Sequence, residues 1–288
     1  MNDATVIPHA ALAPSELARL DARFPARKVP VRGGAVVSVR ECGSGPAIVC
    51  LHGIGSGAAS WLETALLLET DARVIAWDAP GYGESTPVAS MVPTAADYAD
   101  RLHALVDALG LESLVLVGHS LGAITAGFAS RPGSPLAARI RQLLLISPAS
   151  GYGSRAADSA RVRQQRLAAL DDIGIAGMAA QGDRRLLSAH ADDTARQWVR
   201  WNMARLNDSG YRQAVELLCG GDLLADLPPA MPVRVACGAL DIVTPPQGCA
   251  EVAAKCGVPL ELIADAGHAS YVEQPQPVAA LLRDVLAA

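Results

Sequence analysis

An α/β protein is what this sequence predicts: a mostly parallel central sheet, helices on both faces, and an inserted helical segment. Three observations carry that expectation. Short apolar runs of four or five residues recur along the chain, each followed by a glycine- or proline-bearing loop and a helix-length stretch. Runs without polar alternation suit strands buried on both faces, and helices must then cover both sides of the sheet. The rhythm stops at residue 151 and resumes at about 227, and the stretch between is rich in Ala, Arg, Leu and Gln with no strand-like run. Hydrophobic residues make up 51% of the 288, enough for a large core, while 18% charged residues argues against a disordered or coiled-coil chain.

The elements follow in order. Residues 14–23, "PSELARLDAR", form a short amphipathic helix opened by Pro14 and Ser15. "GGAVVSVREC" is a strand ending at the turn "GSGP". "AIVCL" (47–51) is a second strand, followed by glycines and a helix near 59–69; "RVIAW" (73–77) is a third, followed by the loop "DAPGYGESTP". A helix from Thr94 to Leu109 leads into "SLVLV" (113–117), and a helix after Gly122 leads into "QLLLI" (142–146). Pro228, Pro229 and Pro232 mark the return to the sheet, with "VRVAC" (233–237), a helix near 246–256, "LELI" (260–263) and a last helix from Val278. The expected organisation is therefore a core in two parts, residues 1–150 and 227–288, around a helical insertion at 151–226. No internal repeat or low-complexity tract is present.

Composition excludes several classes. The net charge is −5 with no basic block, which argues against a nucleic-acid partner. Arginines cluster between Arg155 and Arg205, but interleaved acids make them read as a solvated helical surface. The N-terminal "MNDATVIPHAAL" lacks the charged and apolar regions of a signal peptide, and no apolar run approaches the ~18 residues of a bilayer span, so no membrane partner is expected. Six cysteines, at 42, 50, 219, 237, 249 and 256, show no C-x-x-C pairing. They read as small core residues of a reducing compartment, and the expected location is cytoplasmic.

The chemistry gathers around "LVLVGHSLGAITAGF", where Ser120 follows a strand and precedes a helix within G-x-S-x-G. That setting forces a sharp turn whose flanking glycines remove side chains, leaving the serine at the sheet edge beside helix N–H groups. A serine hydroxyl needs a base to take its proton and the base needs an orienting acid. Asp241, just beyond "VRVAC", and His268, just beyond "LELI", supply both from loops at the carboxyl ends of strands. Rival acids are Asp222, Asp226 and Asp265. His9, His103 and His190 sit in helical or terminal contexts with no partner, and His119 is part of the turn itself. The loop "LHGIGSG" (51–57) can aim one backbone N–H, that of Ile54, at a developing oxyanion, with Leu121 supplying the other. Gly53 and His119, beside this centre, are candidate substrate contacts. A competing reading exists: Gly53, Gly55 and Ala58 also satisfy G-x-G-x-x-A, with Asp78 ending the next strand, the outline of a dinucleotide site. It leaves His52, the loop after Asp78 and the Ser120, Asp241 and His268 set unexplained.

These residues together resemble the α/β-hydrolase superfamily over nearly the whole chain: "LHGIG" at 51–55, "DAPGYGES" at 78–85, "GHSLG" at 118–122, "GALDIVTP" at 238–245 and "GH" at 267–268. The resemblance implies a nucleophile at Ser120, an acid at Asp241, a base at His268, oxyanion donors at Ile54 and Leu121, a lid made from the insertion, and neither cofactor nor metal. Serine at 120 argues against the haloalkane dehalogenase branch, which uses an aspartate. The resemblance implies hydrolysis of a carboxylic ester of a small molecule through an acyl-enzyme, with activity falling as acid protonates the imidazole. Alternatives are hydrolysis of a carbon–carbon bond in ring-cleavage products of aromatic catabolism, an enol-lactonase, and a non-enzymatic ligand-binding receptor. "RWNM" (200–203) is similar to an Arg-Trp pair in the lids of the ring-cleavage enzymes, making Arg200 and Trp201 candidate substrate contacts, although the elbow there resembles G-N-S-M-G more than "GHSLG". Lid helices offer a possible homodimer surface.

Overall fold

The computed structural model describes residues 11–288; His9 and the rest of the first ten residues lie outside it. Eight strands form one sheet in the order β1-β2-β4-β3-β5-β6-β7-β8. They are β1 (Ala26–Pro30), β2 (Val36–Cys42), β3 (Ala47–Leu51), β4 (Arg73–Trp77), β5 (Leu114–His119), β6 (Ile140–Ile146), β7 (Val233–Gly238) and β8 (Leu260–Ile263). Pairs β1/β2 and β2/β4 are antiparallel and all others are parallel. The chain is thus an α/β protein with a mostly parallel sheet.

Period-2 geometry splits each central strand between two cores. In β3, Ala47, Val49 and Leu51 enter one apolar cluster, while Ile48 and Cys50 enter the other. All five residues of β3 and all six of β5 are buried, which explains their unbroken apolar runs. Helices α3 (Ala95–Ala108) and α4 (Leu121–Ser130) pack on the first face; α1 (Pro14–Arg23), α2 (Leu62–Leu68) and the last helix pack on the second. Helix α3 opens on a capping box in which Thr94 Oγ1 accepts from Asp97 N–H and the Asp97 carboxylate accepts from Thr94 N–H.

Between β6 and β7 the chain is helical: α5 (Ala156–Leu186), α6 (Asp193–Ala204), α7 (Asp208–Gly220) and α8 (Leu223–Asp226). Helix α5 leaves helical geometry at Gly174, at φ 64° and ψ 179°. An isolated antiparallel bridge between Gly151 and Asp222 joins the two ends of the insertion. After β7 come α9 (Pro246–Cys256), β8, the short α10 (Ser270–Glu273) and α11 (Pro275–Ala287). All six cysteines are unpaired, four of them buried. Among the described residues, no helix is long and apolar enough to cross a membrane.

Two elements differ from the sequence expectation. Strand β1, "ARKVP", buries only Val29 and ends in proline, as an edge strand does, so it carries no periodic signal. The last helix begins at Pro275 rather than Val278, because prolines at 275 and 277 fall in the first turn, where the missing N–H groups bond to nothing inside the helix anyway.

The insertion meets the core through a glycine pair. A Cβ on Gly210 would lie 2.1 Å from the carbonyl oxygen of Gly81, and Asn207 Nδ2 donates to that same oxygen at 3.0 Å. Gly210→Ala is expected to cost about 1–3 kcal/mol of unfolding free energy in denaturant titration, because backbone rather than a flexible side chain would have to move. An unchanged midpoint would show that the contact tolerates a methyl group.

Candidate active site

Ser120 occupies the single residue between β5 and α4, at φ 52° and ψ −117°. That left-handed geometry is sparsely populated for a side-chain-bearing residue and costs about 1–3 kcal/mol. Three backbone bonds, each worth about 1 kcal/mol net, hold it there. Ser120 N–H donates to Ile146 C=O at 3.1 Å, and Ser120 C=O accepts from Ala123 N–H at 3.0 Å and Ala149 N–H at 3.2 Å. Gly122 lets α4 approach β3, since a Cβ there would lie 2.5 Å from Leu51 O. The side chain is left facing a cavity, and Ser120 Oγ bonds to no protein group among the described residues. Contacts between a base and its nucleophile are often loose before substrate binds.

Asp241 and His268 meet across the β7 and β8 loops. His268 Nδ1 lies 2.8 Å from Asp241 Oδ2, and an ionised carboxylate can only accept, so Nδ1 carries the proton and Nε2 is the free base. Asp241 Oδ1 accepts from the N–H groups of Val243 at 2.8 Å and Thr244 at 3.0 Å, while Thr244 Oγ1 donates to Oδ2 at 2.9 Å. Burial works against ionisation of this carboxyl. The bond and charge of His268 and the two backbone donors outweigh it and lower its pKa to about 2. Two rival acids are engaged elsewhere: Asp222 caps α8 through Ala225 N–H, and Asp226 pairs with Arg131 at 3.3 Å. The His268 loop is pinned by Glu273, which accepts from Gly267 N–H at 2.8 Å and from Ser188 of the insertion.

The loop after β3 is braced from behind. His52 Nε2 accepts from Ala79 N–H at 3.0 Å, so its Nδ1 carries the proton and donates to Gly53 C=O at 2.8 Å. In a trans peptide the Ile54 N–H points opposite to that held carbonyl. Tyr82 OH donates to Ile54 C=O at 2.9 Å, fixing the next peptide as well. Neither Ile54 N–H nor Leu121 N–H has a partner among the described residues. Asp78 fits no ribose role: Oδ1 accepts from Ala58 N–H and Oδ2 from Ser38 Oγ, both at 2.9 Å, so it ties this loop to the sheet.

A cavity of about 960 Å³ lies over these groups, lined on one side by Gly53, Ile54, His119, Ser120, Leu121 and His268 and on the other by the insertion. His119 is held by an Nε2–H bond to His268 C=O at 2.9 Å, and burial, helped by the His268 imidazole, lowers its pKa to about 3. It is neutral at any working pH.

Four expectations need correction. Arg200 does not line the cavity: its Nε and Nη2 both bond the Asp183 carboxylate at 2.8 Å, and that carboxylate is 1% exposed. Trp201 is packed in the second core against Trp198, with the Arg205 guanidinium 4.6 Å over its ring. Buried charge and aromatic area claim both residues for packing. His103 is not without partners, since Nε2 lies 3.6 Å from Asp107. The arginines of the insertion are not all solvated either, because Arg163, Arg166, Arg196 and Arg200 are partly buried. Sequence reasoning passed over Thr244 and Tyr82. Thr244 had a local signal, a hydroxyl residue three positions after an acid in a turn, whereas Tyr82 had none.

Two outcomes follow from this geometry. Arg200→Ala should lower unfolding free energy by about 1–3 kcal/mol, since Asp183 keeps only Arg196, while KM for small esters stays within a factor of about two. A large KM change with unaltered stability would return Arg200 to the site. The Asp241 carboxyl, at about 2 when folded against an ordinary 3.8, stabilises the native state above pH 4 and loses that contribution as pH falls towards 2. Acid titrations of wild type and Asp241→Asn should therefore converge by about 2 kcal/mol between pH 5 and pH 2; parallel curves would show an unperturbed carboxyl.

The pattern of the alpha/beta hydrolase family matches residues 48–281. An uncharacterized protein of Mycobacterium bovis is 40% identical over 83 residues, 29% of this chain and 24% of that one. A 2-hydroxy-6-oxononadienedioate/2-hydroxy-6-oxononatrienedioate hydrolase of Dechloromonas aromatica is 32% identical over 121 residues, 40% of each chain. These matches span about a quarter and two fifths of the relatives' own lengths. The enol-lactonase of Burkholderia xenovorans LB400 superposes with a TM-score of 0.79 over 91% of this chain and 100% of that one, at 22% identity, a likeness of fold. The chain belongs to the alpha/beta hydrolase family, whose pattern it carries from the first central strand into the last helix.

Proposed function

We propose that this protein is a serine hydrolase that cleaves a carboxylic ester, or a similar acyl bond, of a small organic substrate. The observation that carries the reading is the Asp241–His268 pair opening onto the same cavity as Ser120. His268 Nε2 takes the proton from Ser120 Oγ as that oxygen adds to the carbonyl carbon. Ile54 N–H and Leu121 N–H receive the negative charge that develops on the carbonyl oxygen. Collapse of the adduct breaks the bond to the leaving alcohol, which takes the proton back from His268. Water then adds to the acyl-enzyme with the same imidazole as base, and Ser120 leaves with the proton. Asp241 stays ionised throughout, holding the imidazole in its Nδ1–H tautomer. The insertion acts as the lid over this chemistry.

A second reading, cleavage of a carbon–carbon bond or an enol lactone, draws on the relatives with those activities and needs the same nucleophile and oxyanion donors. The arginine that first suggested it, Arg200, is engaged with Asp183, which favours the ester. A ligand-binding receptor would keep the cavity without turnover. A cytoplasmic setting and pairing of two copies through the lid remain part of the proposal.

On p-nitrophenyl acetate, Ser120→Ala should lose at least about 10³-fold in kcat, and Asp241→Asn about 10³–10⁴-fold, with Asp222→Asn near wild type. A fluorophosphonate should add its mass at Ser120. Labelling elsewhere, or full activity in Ser120→Ala, would overturn the assignment.

A further inference from the structure

The chain is acidic overall, at net charge −5, yet the charged groups lining the cavity are four arginines, Arg155, Arg161, Arg166 and Arg185, against two carboxylates, Asp222 and Glu251. The arginines are not equivalent. Arg155 Nη2 donates to Gly151 C=O at 2.7 Å and its guanidinium lies 4.8 Å over the Tyr152 ring. Arg161 is exposed and pairs with Asp158 at 2.8 Å, and Arg185 is exposed near the end of α5. Arg166 is half-buried, and its side-chain bond is to a neutral group, from Nη1 to the phenol oxygen of Tyr211 at 3.3 Å. Among the described residues no carboxylate lies within ion-pair distance of it. Arg163, three residues earlier, is off the cavity and takes Glu216 through Nε at 3.0 and 2.9 Å.

A half-buried guanidinium without a counter-ion gives up part of its hydration for one bond to a neutral phenol, so its placement on a cavity wall suits a charge brought by the ligand. Among the described residues its Nε and second Nη have no partner, and they form the fork that matches a carboxylate. Tyr211 OH, having accepted from Arg166, keeps its own proton to donate to the same anion. Tyr211 itself is buried, so the phenol is held in place and Arg166 is tethered to it. The Tyr82 phenol, raised by burial and by Tyr98 and Tyr211, feels the opposing charge of Arg166, and Tyr82 is bonded to Ile54.

We propose that Arg166, with Tyr211, is the anchor for a carboxylate carried by the substrate, so that the preferred substrates are anionic esters charged away from the bond that breaks. The proposal rests on the serine-hydrolase reading above. The excess of arginines over carboxylates in the lining also draws anions towards the cavity from solution.

The test compares the charged-to-neutral ratio of kcat/KM in matched esters. Mono-p-nitrophenyl glutarate and adipate place the charge on the acyl side, 4-acetoxybenzoate places it on the leaving group, and p-nitrophenyl butyrate and phenyl acetate are the neutral partners. Arg166→Gln should lower the ratio by about 10- to 100-fold on one of the charged sides, chiefly through KM, and Arg166→Lys should restore part of it. The side affected identifies the substrate half that carries the charge. Arg163→Gln should leave the ratio unaltered. A ratio unmoved by Arg166→Gln on every charged ester, or moved equally by Arg163→Gln, would overturn the proposal. Calorimetric binding of glutarate and adipate to Ser120→Ala, repeated with Arg166→Gln added, reads the anchor without turnover. If Ser120→Ala still hydrolysed the neutral ester, the serine-hydrolase reading would fall, while weaker diacid binding on adding Arg166→Gln would still support the anchor and unaltered binding would overturn it.

Discussion

The left-handed turn at Ser120 is the constraint on which the rest of the molecule depends. A residue with a side chain at φ 52° is tolerated only where its surroundings leave no alternative. Here β6 supplies an acceptor for its N–H, the residues after β6 and the first turn of α4 supply donors for its C=O, and Gly122 lets α4 close against β3. The sheet order puts β5 between β3 and β6, so the loops after β3, β7 and β8 converge beyond the same carboxyl edge. Residues 54, 120 and 268 are far apart in sequence and share one cavity for that reason, with Asp241 bonded to His268 beside it.

Around the turn, most polar side chains hold backbone, while Asp241 is also bonded to the side chains of Thr244 and His268. His52 and Tyr82 fix two successive peptides of the β3 loop, Thr244 and two N–H groups hold Asp241, and Glu273 holds the peptide before His268. In a buried setting each unmet polar atom would cost about 1–3 kcal/mol, so these bonds stabilise the fold and restrict the loops at once. The preorganisation that the proposed acyl transfer requires is a by-product of satisfying buried polar groups.

The insertion contributes differently. Its helices use some of their charge for folding, as in the buried Asp183 with Arg200 and Arg196, and direct some of it inward, as at Arg166. Aromatic packing by Trp198 and Trp201 anchors it to the second core, and the Gly81–Gly210 contact brings its backbone against the core loop. Small changes in these helices can therefore retune what enters the cavity while leaving the reacting groups in place.

The sequence by itself determined the sheet, the insertion and the residues at the strand ends, because strands buried on both faces leave unbroken apolar runs and sharp turns demand glycine at set offsets. Ser120 and Asp241 were legible for that reason, each lying within a few residues after such a run, and His268 follows the shorter, partly exposed strand "LELI" in the same way. Strand β1 was not, since an edge strand with one buried residue has no period to read. Only the tertiary structure decided among the arginines. Arg163, Arg166 and Arg200 look alike in the sequence, yet one meets Glu216, one faces the cavity and one is locked to Asp183. Whether a charge is free depends on which acid the fold brings beside it, and no local pattern records a partner that lies on another helix.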